Sequence, residues 1–206
     1  VDPIRNLLKN RPKDKPFVHW LGTSDPHRGY AKGSGEKSGM DLSKIKLFPH
    51  YPDSLEIRGD VADYYFEVQR FDKLVGNTIA ALEEAGELDN TIIVMSGDHG
   101  MPFPRCKSNN YDSGARVPLA IRWPKKIKAG TVINDFVSLI DLAPTYFEAA
   151  GIAIPGDVSG RSLLPLFAGK DESDRSFVIH GKERHVPGQE KPDMGGYPTR
   201  AIRTHD

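Results

Sequence analysis

Between residues 61 and 95 the hydrophobic period of the chain changes, and this constrains the fold more than any other feature. Val61, Tyr64, Val68, Phe71, Val75, Ile79 and Leu82 recur at three- and four-residue steps, which gathers one apolar face on a long helix. Asp60 stands where an N-cap is expected, Asp63 adds negative charge to the first turn, and Gly86 is placed to end the helix. After a short Asp-Asn turn comes Thr91-Ile92-Ile93-Val94-Met95. Its continuous β-branched character is that of a central strand buried on both faces. A long helix feeding such a strand predicts an α/β sheet with crossover connections.

The remaining elements are shorter. Phe17-Val18-His19-Trp20-Leu21 is an apolar run after Pro16 and predicts a buried strand. It enters Gly22-Thr23-Ser24-Asp25-Pro26-His27-Arg28-Gly29, where Asp-Pro disfavours continued regular structure. Residues 29 to 57 are rich in Gly, Lys, Ser and Pro without periodicity, which predicts a long loop. Leu119 to Trp123 predicts another strand, closed by Pro124. Asp141 is placed to cap a helix through Leu142 to Ala150, with Pro144 in its first turn and Gly151 after it. Ser162 to Phe167 predicts a short helix or turn. Phe177 to His180 and Thr199 to Arg203 predict two further strands across a Gly/Pro-rich loop.

Composition excludes several functions. Lysine plus arginine and aspartate plus glutamate both total 28 in 206 residues, and the basic residues are spread along the chain. Bulk-charge binding of nucleic acid or of an acidic membrane is therefore not expected. No run approaches the roughly 18 apolar residues of a membrane span. Cys106 is the single cysteine, so neither an intrachain disulfide nor a CxxC metal site is available. The start carries no initiator Met or signal-peptide layout, and the end stops in strand-like sequence. Both ends read as cut, so a fragment is expected.

Chemistry is concentrated after the Thr91–Met95 run, in Ser96-Gly97-Asp98-His99-Gly100. Ligand sites of open α/β sheets lie beyond the carboxyl ends of strands. Aspartate offers a hard carboxylate oxygen and histidine a neutral imidazole nitrogen, both usable by a divalent cation. Taken alone, the pentapeptide reads as an ordinary strand-to-loop turn, where Asp and Gly are frequent. The residues downstream change that balance. Pro102-Phe103-Pro104-Arg105-Cys106-Lys107 is followed by Gly114-Ala115-Arg116-Val117-Pro118 and the entry to the next strand.

In this order of segments the chain resembles the sulfatases of the alkaline-phosphatase superfamily. The likeness is strongest to the heparan N-sulfatase (sulfamidase)-like branch and related bacterial arylsulfatases. Asp25-Pro26-His27-Arg28, Asp72-Lys73-Leu74-Val75-Gly76, Ser138 to Thr145, Gly160 to Pro165, Gly181 to His185 and Tyr197 to Ala201 match further landmarks of that family. Together they cover most of residues 16 to 206.

The resemblance implies an alkaline-phosphatase-like α/β fold with a mixed, mostly parallel sheet flanked by helices and incomplete at both ends. It implies that residues 1–175 form the C-terminal part of the catalytic domain and 176–206 the start of a smaller subdomain. The activity implied is metal-dependent hydrolysis of a sulfate ester or sulfamate, on a sulfated carbohydrate or aryl sulfate. Asp98 and His99 are then metal ligands, of calcium by resemblance, with the remaining ligands outside this chain. Lys107 binds the sulfate and His27 faces it as a proton donor. Arg28 either contacts substrate or pairs with a carboxylate, and His185 lies near the sugar subsite. The family nucleophile, a formylglycine made from Cys or Ser in a Cys/Ser-Xaa-Pro/Ala-Ser/Ala-Arg motif, has no counterpart here. Cys106 lacks that spacing and reads as a small semi-buried side chain rather than the nucleophile. Arg116 is expected as an ion-pair partner supporting its loop. A periplasmic or secreted location follows by family habit. Two other functions compete: a phosphodiesterase or phosphonate hydrolase of the same superfamily, and a non-catalytic sulfated-glycan-binding relative.

Overall fold

The computed structural model describes residues 2–169, 175–182 and 198–205. They form two compact units, Val1–Leu88 and Asp89–Asp206.

The first unit is built on helix α3, Leu55–Glu84. It starts earlier than the sequence predicts. Ser54 is the N-cap, its hydroxyl accepting from the Ile57 amide at 3.3 Å. Asp60 therefore lies inside the helix, and Asp63 is buried rather than part of the first turn. The helix ends as expected: Gly86 takes a positive φ of 70°, and the amides of Gly86 and Glu87 donate back to Glu83 and Leu82. Helix α1, Pro3–Asn10, was not anticipated. Asp2 caps it by accepting from the Ile4 and Arg5 amides, and Pro3 stands in its first turn. Ile4 and Leu8 are buried on α1, Val61, Ala62, Ala81 and Leu82 on α3, and Arg5 reaches Glu84.

The expected loop from 29 to 57 is largely irregular, with one turn of helix, α2 (Ser34–Lys37), and a short 3₁₀ turn at Leu42–Lys44. Two side chains of α3 tie it down. Asp63 accepts from the Gly33 and Gly35 amides, each at 2.8 Å. Arg58 donates to the carbonyls of Leu42, Ser43 and Ile45 while pairing with Asp53. These bonds satisfy backbone groups that the loop cannot pair internally. Gly35 must be glycine, because a Cβ there would run into the Ala62 backbone.

Phe17–Leu21 departs from expectation. It is not a strand among the described residues, and Val18 and Trp20 are 95% and 90% exposed. A strand needs a ladder partner, and this segment has none there.

In the second unit, β1 (Ile93–Ser96) pairs antiparallel with β2 (Leu119–Arg122), Ile93 opposite Arg122 and Ser96 opposite Leu119. With one neighbour among the described residues, β1 is half-buried rather than buried on both faces. Helix α4 (Asp112–Ala115) precedes β2, and α5 (Leu142–Ala149) and α6 (Leu164–Phe167) follow it. The last two strands, β3 (Phe177–Lys182) and β4 (Thr199–Thr204), form a second antiparallel pair. Both ladders among the described residues are thus antiparallel, whereas mostly parallel pairing was expected.

Asp141 belongs to this unit's core. It was expected to cap α5, but its carboxylate instead accepts from the Ser138 and Arg161 amides and from both terminal nitrogens of Arg175.

Candidate active site

The turn after β1 presents two side chains with converging lone pairs. The Asp98 carboxylate accepts its neighbour's amide through Oδ1, at 3.1 Å. The His99 ring donates Nδ1–H to the Gly100 carbonyl at 2.9 Å, because a carbonyl can only accept. In neutral His99 the lone pair is then on Nε2, which lies 3.3 Å from Asp98 Oδ2. Two acceptors this close, one hard oxygen and one imidazole nitrogen, fit a divalent cation. Asp98 is 87% exposed, so its carboxylate is not consumed by the fold. The pair supplies two ligands, and among the described residues no group of three or more His, Cys, Asp or Glu gathers as a metal cluster. The fit is to part of a metal site.

Lys107 sits on an excursion closed at its base. The Gly100 amide donates to Gly114 at 2.9 Å, and the Lys107 amide donates back to Met101 at 3.0 Å. A Cβ on Gly100 would strike the Ser113 carbonyl, and one on Gly114 would strike those of Cys106 and Asn109. The two glycines are therefore conditions for the closure. Phe103 and Cys106 fill the inside, Cys106 with 0% exposure. A thiol in that position packs, more deeply than the semi-buried place its sequence context predicted. Arg105 and Ser108, flanking Cys106 and Lys107, hold positive φ of 62° and 63°. The β3/β4 pair braces the same excursion: Lys182 donates to the Ser108 carbonyl, His180 to that of Asn110, and Asn110 to the Thr199 hydroxyl. Arg116 has no ion-pair partner among the described residues. Its neighbour Asp112 pairs with Arg203 at 3.2 Å.

His27 belongs to the first unit. Its amide donates to the Ser24 carbonyl and closes a turn that contains the cis Asp25–Pro26 bond. The ring donates Nδ1–H to Arg28 O at 2.8 Å, which places the lone pair of the neutral ring on Nε2. The turn borders a cleft of about 420 Å³ lined in part by Asp25, His27, Tyr30, Glu67 and Arg70. Tyr30 stays a phenol across the ordinary pH range: burial, and then the negative charge of Asp60, push its pKa up to about 12. Its hydroxyl is buried without a hydrogen-bond partner among the described residues.

Arg28 shows the pairing alternative. Both terminal nitrogens donate to Asp60, at 3.0 and 2.7 Å. His185 lies outside the described residues. Of the predicted site, the structure thus brings together Asp98 with His99, and His27 with Arg28. Sequence reasoning gave Asp25 no role of its own and missed Glu67 and Arg70 beside His27. The only local signal was the three-residue spacing of Glu67 and Arg70 on one helix.

Both site and fold have known counterparts. The sulfatase family model matches residues 1–152. The chain belongs to the sulfatase family. It is 32% identical over 181 residues to an ulvan-active sulfatase of Formosa agariphila, covering 86% of this chain and 34% of that protein. It is also 32% identical over 195 residues to human N-sulphoglucosamine sulphohydrolase, covering 79% and 38%. A solved structure in complex with its substrate D-glucosamine-2-N,6-O-disulfate superposes with a TM-score of 0.76 at 24% identity, covering 100% of this chain and 58% of that one. This likeness shows the fold, the α/β fold of the alkaline-phosphatase-like sulfatases. A phosphonate monoester hydrolase from Silicibacter pomeroyi superposes at 0.62 with 27% identity, covering 82% and 36%. The chain therefore spans little more than a third of the curated relatives named.

Proposed function

We propose that the full-length protein containing this chain is a metal-dependent sulfatase that hydrolyses a sulfate ester or sulfamate on a sulfated glycan. The observation that carries the reading is the convergence of Asp98 Oδ2 and His99 Nε2 in a region matched by the family model. Asp98 and His99 would hold a divalent cation, calcium by resemblance, together with ligands from outside this chain. When bound, that cation neutralises sulfate charge and orients the nucleophile, a formylglycine also supplied from outside.

This chain's own residues do the rest. Lys107 places a compact positive charge against the non-bridging oxygens and so neutralises the sulfate as the nucleophile approaches. His27 holds its ring through Nδ1–H and delivers a proton from Nε2 to the departing oxygen or nitrogen. Without that proton a poor leaving group would depart as an anion. His185 serves the sugar subsite on resemblance alone. Arg28, engaged by Asp60, shapes the turn beside His27. Residues 1–175 belong to the catalytic domain and 176–206 open a smaller subdomain. The family resemblance also supports a periplasmic or secreted location.

The phosphonate monoester hydrolase likeness favours a second reading, hydrolysis of a phosphodiester or phosphonate ester. Turnover of an aryl sulfate against an aryl phosphodiester by the full-length protein separates them. The sulfatase reading expects the sulfate to be preferred, and a strong phosphodiester preference would replace it with the second.

A further inference from the structure

His27 stands between two ion pairs of opposite polarity, and both are anchored on the same helix. On its N-terminal side, Asp25 Oδ2 lies 3.2 Å from Arg70 Nε as an ion pair. On its C-terminal side, Arg28 donates to Asp60 through both terminal nitrogens. Asp60 and Arg70 stand about 15 Å apart along α3, so the turn is held at two separated points on one stiff element. Arg70 is also held in turn. Its Nε lies 3.5 Å from Glu67 Oε2, and the Glu67 side chain is only 8% exposed. Glu67 and Arg70 both border the cleft, so the pair adds a second hold on the guanidinium beside the turn.

We infer that Arg70 is a positioning residue for His27: through Asp25 it fixes the turn that carries the imidazole at the edge of the cleft. The inference rests on His27 acting as the proton donor. Exposed ion pairs contribute little to global stability, and Arg70 is more than half exposed. What the clamp secures is geometry, because a donor displaced by about 1 Å loses a large part of its effect.

The test is a double-mutant cycle in the full-length enzyme on two substrates, an activated aryl sulfate and a sulfate ester with a poor leaving group. Arg70→Gln should lower kcat about tenfold on the poor leaving group, with KM and melting temperature nearly unchanged, and much less on the activated ester. Arg70→Lys should recover part of the loss by keeping the charge. In a His27→Ala background, Arg70→Gln should cost nothing further, because its effect passes through the ring that has been removed. Losses that multiply in the double variant would overturn the inference while leaving His27 as the acid. So would an unchanged rate in Arg70→Gln. A different result, His27→Ala losing equally on both substrates, removes His27 as the acid and the inference with it.

Discussion

Two aspartates of the second unit, Asp141 and Asp98, are placed in opposite ways. The Asp141 side chain is 1% exposed, and its oxygens accept from two backbone amides and a bidentate guanidinium. The Asp98 side chain is 87% exposed, accepts one amide from its own neighbour, and faces an imidazole nitrogen. A saturated buried carboxylate holds a fold together, since every lone pair it could offer a ligand is engaged. An exposed carboxylate that shares its open side with a second acceptor contributes little to the fold and keeps its charge for a cation.

The largest expected effect is on the Asp141 side of this contrast. Arg175→Ala leaves a buried charge without its cation and should destabilise by about 3–5 kcal/mol, read from the denaturation midpoint. A shift of a few tenths would mean that Asp141 is not the anchor described. Acid should attack the same node. Burial pushes the Asp141 carboxyl up, but Arg175 and the Arg161 and Ser138 amides outweigh it and hold the pKa below the ordinary value. The stabilisation is therefore full above the unfolded pKa of about 3.9 and is lost as pH falls through the lower folded value. Wild type should lose this contribution only in strong acid, and a loss already complete near pH 6 would contradict the assignment.

The contrast also separates what was legible in the sequence from what was not. Asp98 and His99 are adjacent, so their chemistry could be read from a single turn after an apolar run. Asp141 and Arg175 lie 34 residues apart, and nothing near either one names the other. The Asp25–Arg70 pair was hidden for the same reason. Elements followed the same rule. The body of α3 and its end at Gly86 were legible from local periodicity and a left-handed glycine. Its start was placed late, because Asp60 resembles a cap whereas Ser54 is the residue that accepts the bond. Phe17–Leu21 reads as a strand locally, but a ladder is a property of two segments. The proposed sulfate-binding role of Lys107 came only from the order of motifs around it.

Lys107 is next in expected size. It is held by a closed excursion, and its proposed role is electrostatic rather than structural. In the full-length enzyme, Lys107→Ala should reduce kcat by roughly 10²-fold, as removal of a single transition-state charge donor does. The fold should survive, because Gly100–Gly114 pairing and the buried Cys106 define the excursion without the ammonium. An unchanged rate would take Lys107 out of the site.

The smallest effect is the sharpest test of the contrast. Asp98→Ala should change stability by no more than about 0.5 kcal/mol, the range of exposed positions outside caps, cores and networks. The one amide it accepts, that of His99, is solvent-accessible enough to bond water instead. The same substitution should abolish metal-dependent turnover in the full-length enzyme, because it removes the oxygen facing His99 Nε2. A fall in stability comparable to that of Arg175→Ala would make Asp98 a second Asp141, an acid spent on the fold. Near-native stability with lost activity would place the two aspartates on opposite sides of the division between holding the chain and serving its chemistry.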